Sequence, residues 1–249
     1  MARLARPSGR RATLGGLALV AGAFVAHAAP ATSSIAALRR RLTPGLHGLG
    51  HRDHVALTFD DGPDPASTPA FLEMLDQMGW RATFFALGGM VRRSPGLAAE
   101  VAAAGHELAV HGDVHRSELW RTPWAVRDDM ARARDTVGDV AGAEPAWFRP
   151  PYGVLCSGGV AASRALGLRT VLWTTWGRDW RAAATPESVA AEVEGGLEPG
   201  STVLLHDSDC TSDPGSWRSA LGALPLLAER FGAAGYKVGP LAEHGLLDR

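Results

Sequence analysis

Val55-Ala-Leu-Thr-Phe59-Asp60-Asp61-Gly-Pro-Asp-Pro65 decides the architecture of this chain. A short apolar run of β-formers ends in two carboxylates, and a Gly/Pro loop then leaves the strand. Thr68 opens a helical pattern with Phe71, Leu72, Leu75 and Met78 on one face, closed by Gly79. The same beat repeats along the chain. Strands are predicted at Thr83–Leu87, Glu107–Val110, Ala146–Phe148, Thr170–Thr174, Thr202–Leu205 and Tyr236–Val238. Helical patterns fall between them: Pro95–Ala104, Trp124–Val140, Ala161–Leu166, a helix opened by Pro186, and Ser219–Phe231. Strands alternating with helices imply a parallel sheet covered by helices, either an open doubly wound sheet or a closed barrel. The first strand is not followed by Gly-x-Gly-x-x-Gly, which removes the dinucleotide-binding form.

The 249 residues divide into an N-terminal segment, 1–50, and one domain, 51–249. A net charge of −1 argues against a nucleic-acid partner, which needs a basic face. Lys occurs once, at Lys237, beside many Arg, Ala and Gly, a bias typical of GC-rich coding. In the N-terminal segment Arg3, Arg6, Arg10 and Arg11 precede the apolar run Leu14–Ala26, and Ala26-His27-Ala28 follows. Basic start, apolar middle and small-residue end suit a secretory signal peptide. The run also suits an uncleaved membrane anchor, with Arg39-Arg40-Arg41 at the membrane surface, and a cytoplasmic N-terminal helix is the remaining reading.

Polar clusters stand at the ends of the predicted strands. His111 and His115, four apart, would share one face of a helical turn, a spacing suited to a divalent metal. Asp61 completes a His, His, carboxylate set with open positions. Neighbouring side chains of a strand point to opposite sides, so Asp60 and Asp61 are expected to have separate tasks, metal binding and proton acceptance. The plain alternative is a turn-initiating pair before Gly62-Pro63. Arg149 leaves a short strand beside Pro150-Pro151, which would leave the Tyr152 N–H aimed at a substrate oxygen. His206 ends an apolar strand and is placed to act as a general acid. Trp173, Trp176, Trp180 and Trp217 gather on the later loops. His27, His47, His51, His54, His106 and His244 have no comparable setting. Cys156 and Cys210 each follow a cluster, and a disulfide between their loops is expected if the domain is exported.

The order Thr58-Phe-Asp-Asp61, His111-x-x-x-His115, Arg149-Pro-Pro-Tyr-Gly153, Asp179-Trp180 and Leu204-x-His206 resembles the polysaccharide deacetylase family, carbohydrate esterase family 4 or NodB-homology family, over about residues 53–240. The resemblance implies a distorted (β/α) barrel of about seven parallel strands, with the site at their C-terminal ends. It implies Asp60 as catalytic base, Asp61, His111 and His115 as metal ligands, and Arg149 as the residue positioning the base. It further implies Tyr152 N–H as an oxyanion donor, His206 as general acid, Asp179 as a catalytic partner, and a pocket lined by Pro151, Trp176, Trp180 and Leu204. The implied cofactor is a divalent ion, Zn2+ first and Co2+ second.

Two departures stand out. Gly112 replaces the usual Ser or Thr after the first metal His, losing a hydrogen bond worth ~1 kcal/mol. Trp176 occupies the place of an Asp that would anchor Arg149, so Arg149 is expected to pair with Asp179 or with Asp60 alone. The implied reaction is metal-assisted removal of acetyl groups from N-acetylated carbohydrate, with O-acetylated carbohydrate as a second substrate type, by an exported or membrane-anchored monomer of the bacterial cell envelope, with a cytoplasmic place as the alternative. The alternatives are hydrolysis of another small amide or ester, and a glycan-binding protein with impaired catalysis.

Overall fold

Among the described residues, eight strands, all paired in parallel, form a single sheet that curls into a half-barrel, with helices around its outside. The computed structural model describes residues 9–246, with side chains from residue 19 onward. Arg3 and Arg6, the expected basic start, lie outside the described residues, as do the side chains of Arg10 and Arg11. In chain order the regular elements are α1 (Gly9–Ala28), α2 (Ala36–Leu42), β1 (His54–Asp60), α3 (Thr68–Met78), β2 (Thr83–Ala86), α4 (Gly88–Arg93), α5 (Pro95–Ala103) and β3 (Glu107–Val110). They continue as α6 (Pro123–Ala141), β4 (Trp147–Phe148), α7 (Ser157–Ala165), β5 (Arg169–Thr170), β6 (Thr175–Trp176), α8 (Pro186–Gly195), β7 (Thr202–His206), α9 (Trp217–Ala233) and β8 (Lys237–Gly239).

The order across the sheet is β5-β4-β3-β2-β1-β7-β6, with β8 paired to the entry end of β1. Strict alternation along β1 sets the two layers of the core. Val55, Leu57 and Phe59 pack outward with Phe71, Leu75, Val203, Leu205 and Leu224 under the helices. Ala56 points inward and meets Phe85, Ala109, Trp147 and Val171 inside the barrel. By the same period of two, Thr58 and Asp60 follow Ala56 on the inner face, so the strand that builds the core also delivers a carboxylate to its open end. Every residue of β1 is buried, which is why Val55–Leu57 is apolar on both faces before the strand reaches Thr58 and Asp60.

The predicted strand Thr170–Thr174 is where the structure departs from the sequence reading. Arg169–Thr170 pairs with β4 on one edge of the sheet, and Thr175–Trp176 pairs with β7 on the other. Residues 171–174 cross the seam between the two edges. Some of their N–H groups still reach a flanking strand, but the carbonyls of residues 171–173 find partners on side chains instead. Leu172 N–H donates to Leu46 O (2.9 Å) and Thr174 N–H to Thr202 O (2.9 Å). Trp173 O accepts from Arg39 Nη2 (2.7 Å), and the carbonyls of Val171 and Leu172 accept from Arg149 (3.4 and 2.9 Å).

Residues 33–48 therefore close the seam from outside. Arg39 does not lie at a surface: it is 1 % exposed, donates also to Ser33 O (2.7 Å), and stacks over the Trp173 ring at 5.7 Å. Burial, with Arg149 nearby, lowers its guanidinium to about 10, so it stays charged at neutral pH. Arg40, by contrast, is exposed and pairs with Glu198 at 2.8 Å. Among the described residues no single helix is long and apolar enough to cross a membrane. His54 and His244, without a role in the sequence reading, share a buried Nδ1–Nδ1 hydrogen bond of 2.8 Å that ties the chain's C-terminal end to β1.

Arg39→Ala would strand the Ser33 and Trp173 carbonyls, and urea unfolding should show a loss of about 2 kcal/mol. Arg40→Ala breaks only an exposed pair and should change stability by no more than about 0.5 kcal/mol.

Candidate active site

The site residues are set one step from the end of the strand ladder, and the ladder itself fixes them. Asp60 and His206 are paired partners in the β1–β7 register, so the carboxylate and the imidazole sit side by side on one face. Just beyond the strands, Asp61 N–H donates to Phe85 O (3.3 Å), His111 N–H to Ala86 O (3.0 Å) and Arg149 N–H to Val110 O (3.0 Å). These side chains therefore inherit the rigidity of the sheet.

Asp60 does not diverge from Asp61 as an extended pair would. Asp61 has φ 85, a left-handed conformation uncommon for a non-glycine residue, and this turns its carboxylate back toward its neighbour. His111 Nε2 consequently lies 3.7 Å from Asp60 Oδ2 and 3.5 Å from Asp61 Oδ1. His111 and His115 do not share a helical turn either. Residues 111–117 form an irregular loop, and Gly112 at φ 91 turns the chain so that the rings meet at 5.3 Å. A hydroxyl after His111 is not needed to hold this loop. Asp113 N–H donates to Asp129 Oδ2 (2.8 Å) and Gly88 N–H to Gly112 O (3.0 Å).

Asp61, His111 and His115 offer one donor atom each, all within 4.8 Å of one another. Arg149 O can only accept, so the His111 Nδ1 at 2.9 Å carries the proton and Nε2 presents its lone pair. Burial pushes His111 down to about 3 and also lowers His115, so both imidazoles are neutral. The Asp61 Oδ1 is buried without a hydrogen-bond partner, and each His Nε2 stands 3.5 Å from it, long for a hydrogen bond. An orphaned carboxylate oxygen facing the Nε2 atoms of two neutral imidazoles, with His115 Nδ1 also unpartnered, fits a divalent cation, and two nitrogens with one oxygen leave coordination positions open.

Around this cluster the remaining groups have distinct settings. Arg149 is fully buried and donates from Nη1 to Asp60 Oδ1 (2.6 Å) and Thr58 Oγ1 (2.9 Å). Its carboxylate partner is Asp60 alone; the Asp that Trp176 replaces is not required, because the seam carbonyls take the other guanidinium nitrogens. Asp179 serves His206 instead. Its Oδ1 lies 2.9 Å from His206 Nδ1, and its Oδ2 accepts from His206 N–H at 2.7 Å. Burial opposes charge on His206, but Asp179, with Asp61 and Asp60 nearby, outweighs it and raises the imidazole to about 10. Burial raises Asp60 as well, against the pull of Arg149.

A cavity of about 290 Å³ opens over these residues, walled by Tyr152, Gly153, Trp173, Trp176, Trp180, Leu204, Thr211 and Ser212. Tyr152 has φ 61, and among the described residues no group accepts its N–H. Trp176 stacks on Trp173 at 5.3 Å and tilts against Trp180 at 5.0 Å. Pro151, expected in the pocket, is buried away from it beside Gly112, Glu118 and Met130. Trp217 packs on Phe71 at 6.5 Å, away from the cavity. The expected disulfide is absent: both cysteines are free. Cys156 is buried with Val110, Met130 and Phe148, while the exposed Cys210 donates to Asp61 O at 3.6 Å. Thr211 and Ser212 carry no sequence signal as wall residues, because only the folded loop after β7 brings them over Asp61.

A curled parallel half-barrel with a buried carboxylate, a protonated imidazole and an Asp, His, His cluster able to hold a metal ion at its strand ends is the arrangement of a hydrolase of the deacetylase class. Residues 48–171 match the family model described as polysaccharide deacetylase. A chitooligosaccharide deacetylase of Bradyrhizobium sp. (strain ANU 289) is 34% identical over 200 residues, 76% of this chain and 89% of that protein. A peptidoglycan-N-acetylglucosamine deacetylase of Bacillus cereus is 36% identical over 155 residues, 61% of this chain and 72% of that protein. The crystal structure of the Bc1960 peptidoglycan N-acetylglucosamine deacetylase superposes with a TM-score of 0.74 at 26% identity, covering 81% of this chain and 92% of that one. The chain belongs to the polysaccharide deacetylase family.

In the metal-free protein, NMR titration should find the His206 ring protonated through neutral pH, with a midpoint near 10. Asp179→Asn should bring that midpoint down toward the ordinary imidazole value of about 6.5. A wild-type midpoint already near 6.5 would contradict the pairing.

Proposed function

We propose that this protein removes acetyl groups from N-acetylated glycans, with Asp61, His111 and His115 holding Zn2+. The carrying observation is the orphaned, buried Asp61 Oδ1 between two neutral imidazoles, directly beside the free Oδ2 of Asp60. Two nitrogens and one oxygen suit Zn2+, and Co2+ would serve in the same set. The bound ion supplies Lewis-acid polarisation of the acetyl carbonyl and of water.

The chain's own groups divide the proton traffic. Asp60 Oδ1 is tied to Arg149, which leaves Oδ2 to take a proton from the attacking water. A carboxyl raised by burial is a better base than an ordinary one. The remaining hydroxide adds to the acetyl carbon, and the Tyr152 N–H donates to the oxygen that gains charge. His206, protonated and held by Asp179, gives its proton to the departing nitrogen as the C–N bond breaks. The products are acetate and a free amino sugar.

The aromatic wall of Trp173, Trp176 and Trp180 suits the apolar face of a pyranose ring, and the cavity has room for about one sugar residue. Trp176 thus acts as a pocket wall, and the anchoring of Arg149 without an Asp removes the reason to read its presence as a loss of catalysis. The basic start and apolar run of the first 28 residues, together with the peptidoglycan-directed relative, support a place outside the cytoplasmic membrane.

Acetate release from chitin oligomers and peptidoglycan, assayed beside acetylated xylan, should require added Zn2+ or Co2+ after chelation. Asp60→Asn should lower kcat by at least about a hundredfold. Full activity in that variant would sink the assignment of the base. Trp176→Ala should raise KM more than it lowers kcat, since the indole binds the sugar without touching the reacting atoms.

A further inference from the structure

We propose that Thr211 is a positioning residue for the metal ligand Asp61, fixing which of its two oxygens faces the imidazoles. The inference rests on the metal-centre reading above. Thr211 Oγ1 donates to Asp61 Oδ2 at 2.6 Å, a charge-assisted bond of short length. The other oxygen, Oδ1, has no hydrogen-bond partner and is the atom that faces His111 and His115. A carboxylate has two equivalent oxygens and can rotate or present both. The left-handed backbone at Asp61 fixes where the side chain starts but not the orientation of its plane. The Thr211 hydroxyl supplies that missing constraint. With Oδ2 engaged, Asp61 offers a single oxygen, and the open positions of the cluster stay available for water and substrate.

The loop that carries Thr211 is built to hold it there. At its start, Asp207 accepts from Gly62 N–H (3.1 Å) and Thr68 Oγ1 (2.5 Å), both in the segment that follows Asp61. Ser208 Oγ donates to Asp64 Oδ2 (2.9 Å), and Cys210 Sγ reaches Asp61 O (3.6 Å). At its far end, Asp213 N–H donates to Trp180 O (3.1 Å), and its Oδ2 accepts from Ala182 N–H (2.7 Å). The loop is thereby fastened to the Asp61 segment on one side and to the Trp180 segment on the other. Thr211 itself is exposed at the cavity rim, so its hydroxyl can be removed without opening the core.

The test measures metal binding by the full chain, independently of catalysis. The protein is stripped with chelator, and Zn2+ affinity is read by competition with a chromophoric chelator. Co2+ is then added and its visible absorption recorded. Thr211→Val should weaken Zn2+ binding by about 10–100-fold, the usual effect of losing a partner of a metal ligand. It should also dim the Co2+ bands, as the freed Oδ2 joins the coordination sphere. Thr211→Ser keeps the hydroxyl and should restore both readouts. Wild-type affinity and spectrum in Thr211→Val would overturn the proposal, as would failure of Thr211→Ser to differ from Thr211→Val. A wild-type chain that takes up neither Zn2+ nor Co2+ would instead overturn the metal-centre reading itself.

Discussion

The buried guanidinium of Arg149 is the constraint on which the barrel and its site both depend. A charge without contact to water is costly unless paired and fully hydrogen-bonded. Arg149 meets that demand by reaching across the barrel. It binds Thr58 and Asp60 on β1 and the carbonyls of Val171 and Leu172 at the seam, with Phe85 under its plane at 4.0 Å. One side chain therefore satisfies carbonyls that no strand can pair and fixes the carboxylate taken as base. Removing it would leave a buried Asp60 charge and two orphaned carbonyls together, so its structural and chemical roles cannot be separated.

The seam explains why the site has its aromatic wall where it does. Because residues 171–174 leave the ladder, Trp173 is free to turn its ring toward the cavity, where it lies against Gly153 and stacks on Trp176. Arg39 stacks near the same ring and bonds to its carbonyl from the outside. The segment before residue 50 is thus part of the pocket's support, although it precedes the first strand. Electrostatics then sorts the two proton-handling groups. Asp60 and His206 are adjacent partners in the sheet, yet one faces a guanidinium and the other a carboxylate. Those second partners push the two groups toward opposite roles, the proton acceptor and proton donor of the proposed reaction.

Much of this was legible in the chain itself. The period-two alternation of Val55–Asp60 marks both the two-sided core and the inward carboxylate. The strands at Thr83, Glu107 and Thr202 follow from β-formers bounded by Gly and Pro. The Asp, His, His set, Arg149 and His206 stand out because polar residues end apolar runs. Three of the expectations that failed share a physical cause. The helical-turn geometry for His111 and His115, the divergence of Asp60 and Asp61, and the unbroken strand at Thr170 all assume regular backbone. Left-handed conformations at Asp61, Gly112 and Tyr152 and the seam at residues 171–174 break that regularity. They persist because tertiary contacts hold them.

The sequence by itself determined the alternating β/α order, the inward and outward faces of each strand, and the chemical identity of the groups at the strand ends. These follow from local periodicity and side-chain chemistry, which need no knowledge of distant residues. Only the tertiary structure decided that Arg149 is anchored by seam carbonyls, that Asp179 belongs to His206, that Cys156 and Cys210 are free, and that Thr211 holds Asp61. Each of these pairings joins residues far apart in the chain. Its partner is chosen by how the sheet curls and which buried polar groups are left unsatisfied, quantities that no local stretch of sequence contains.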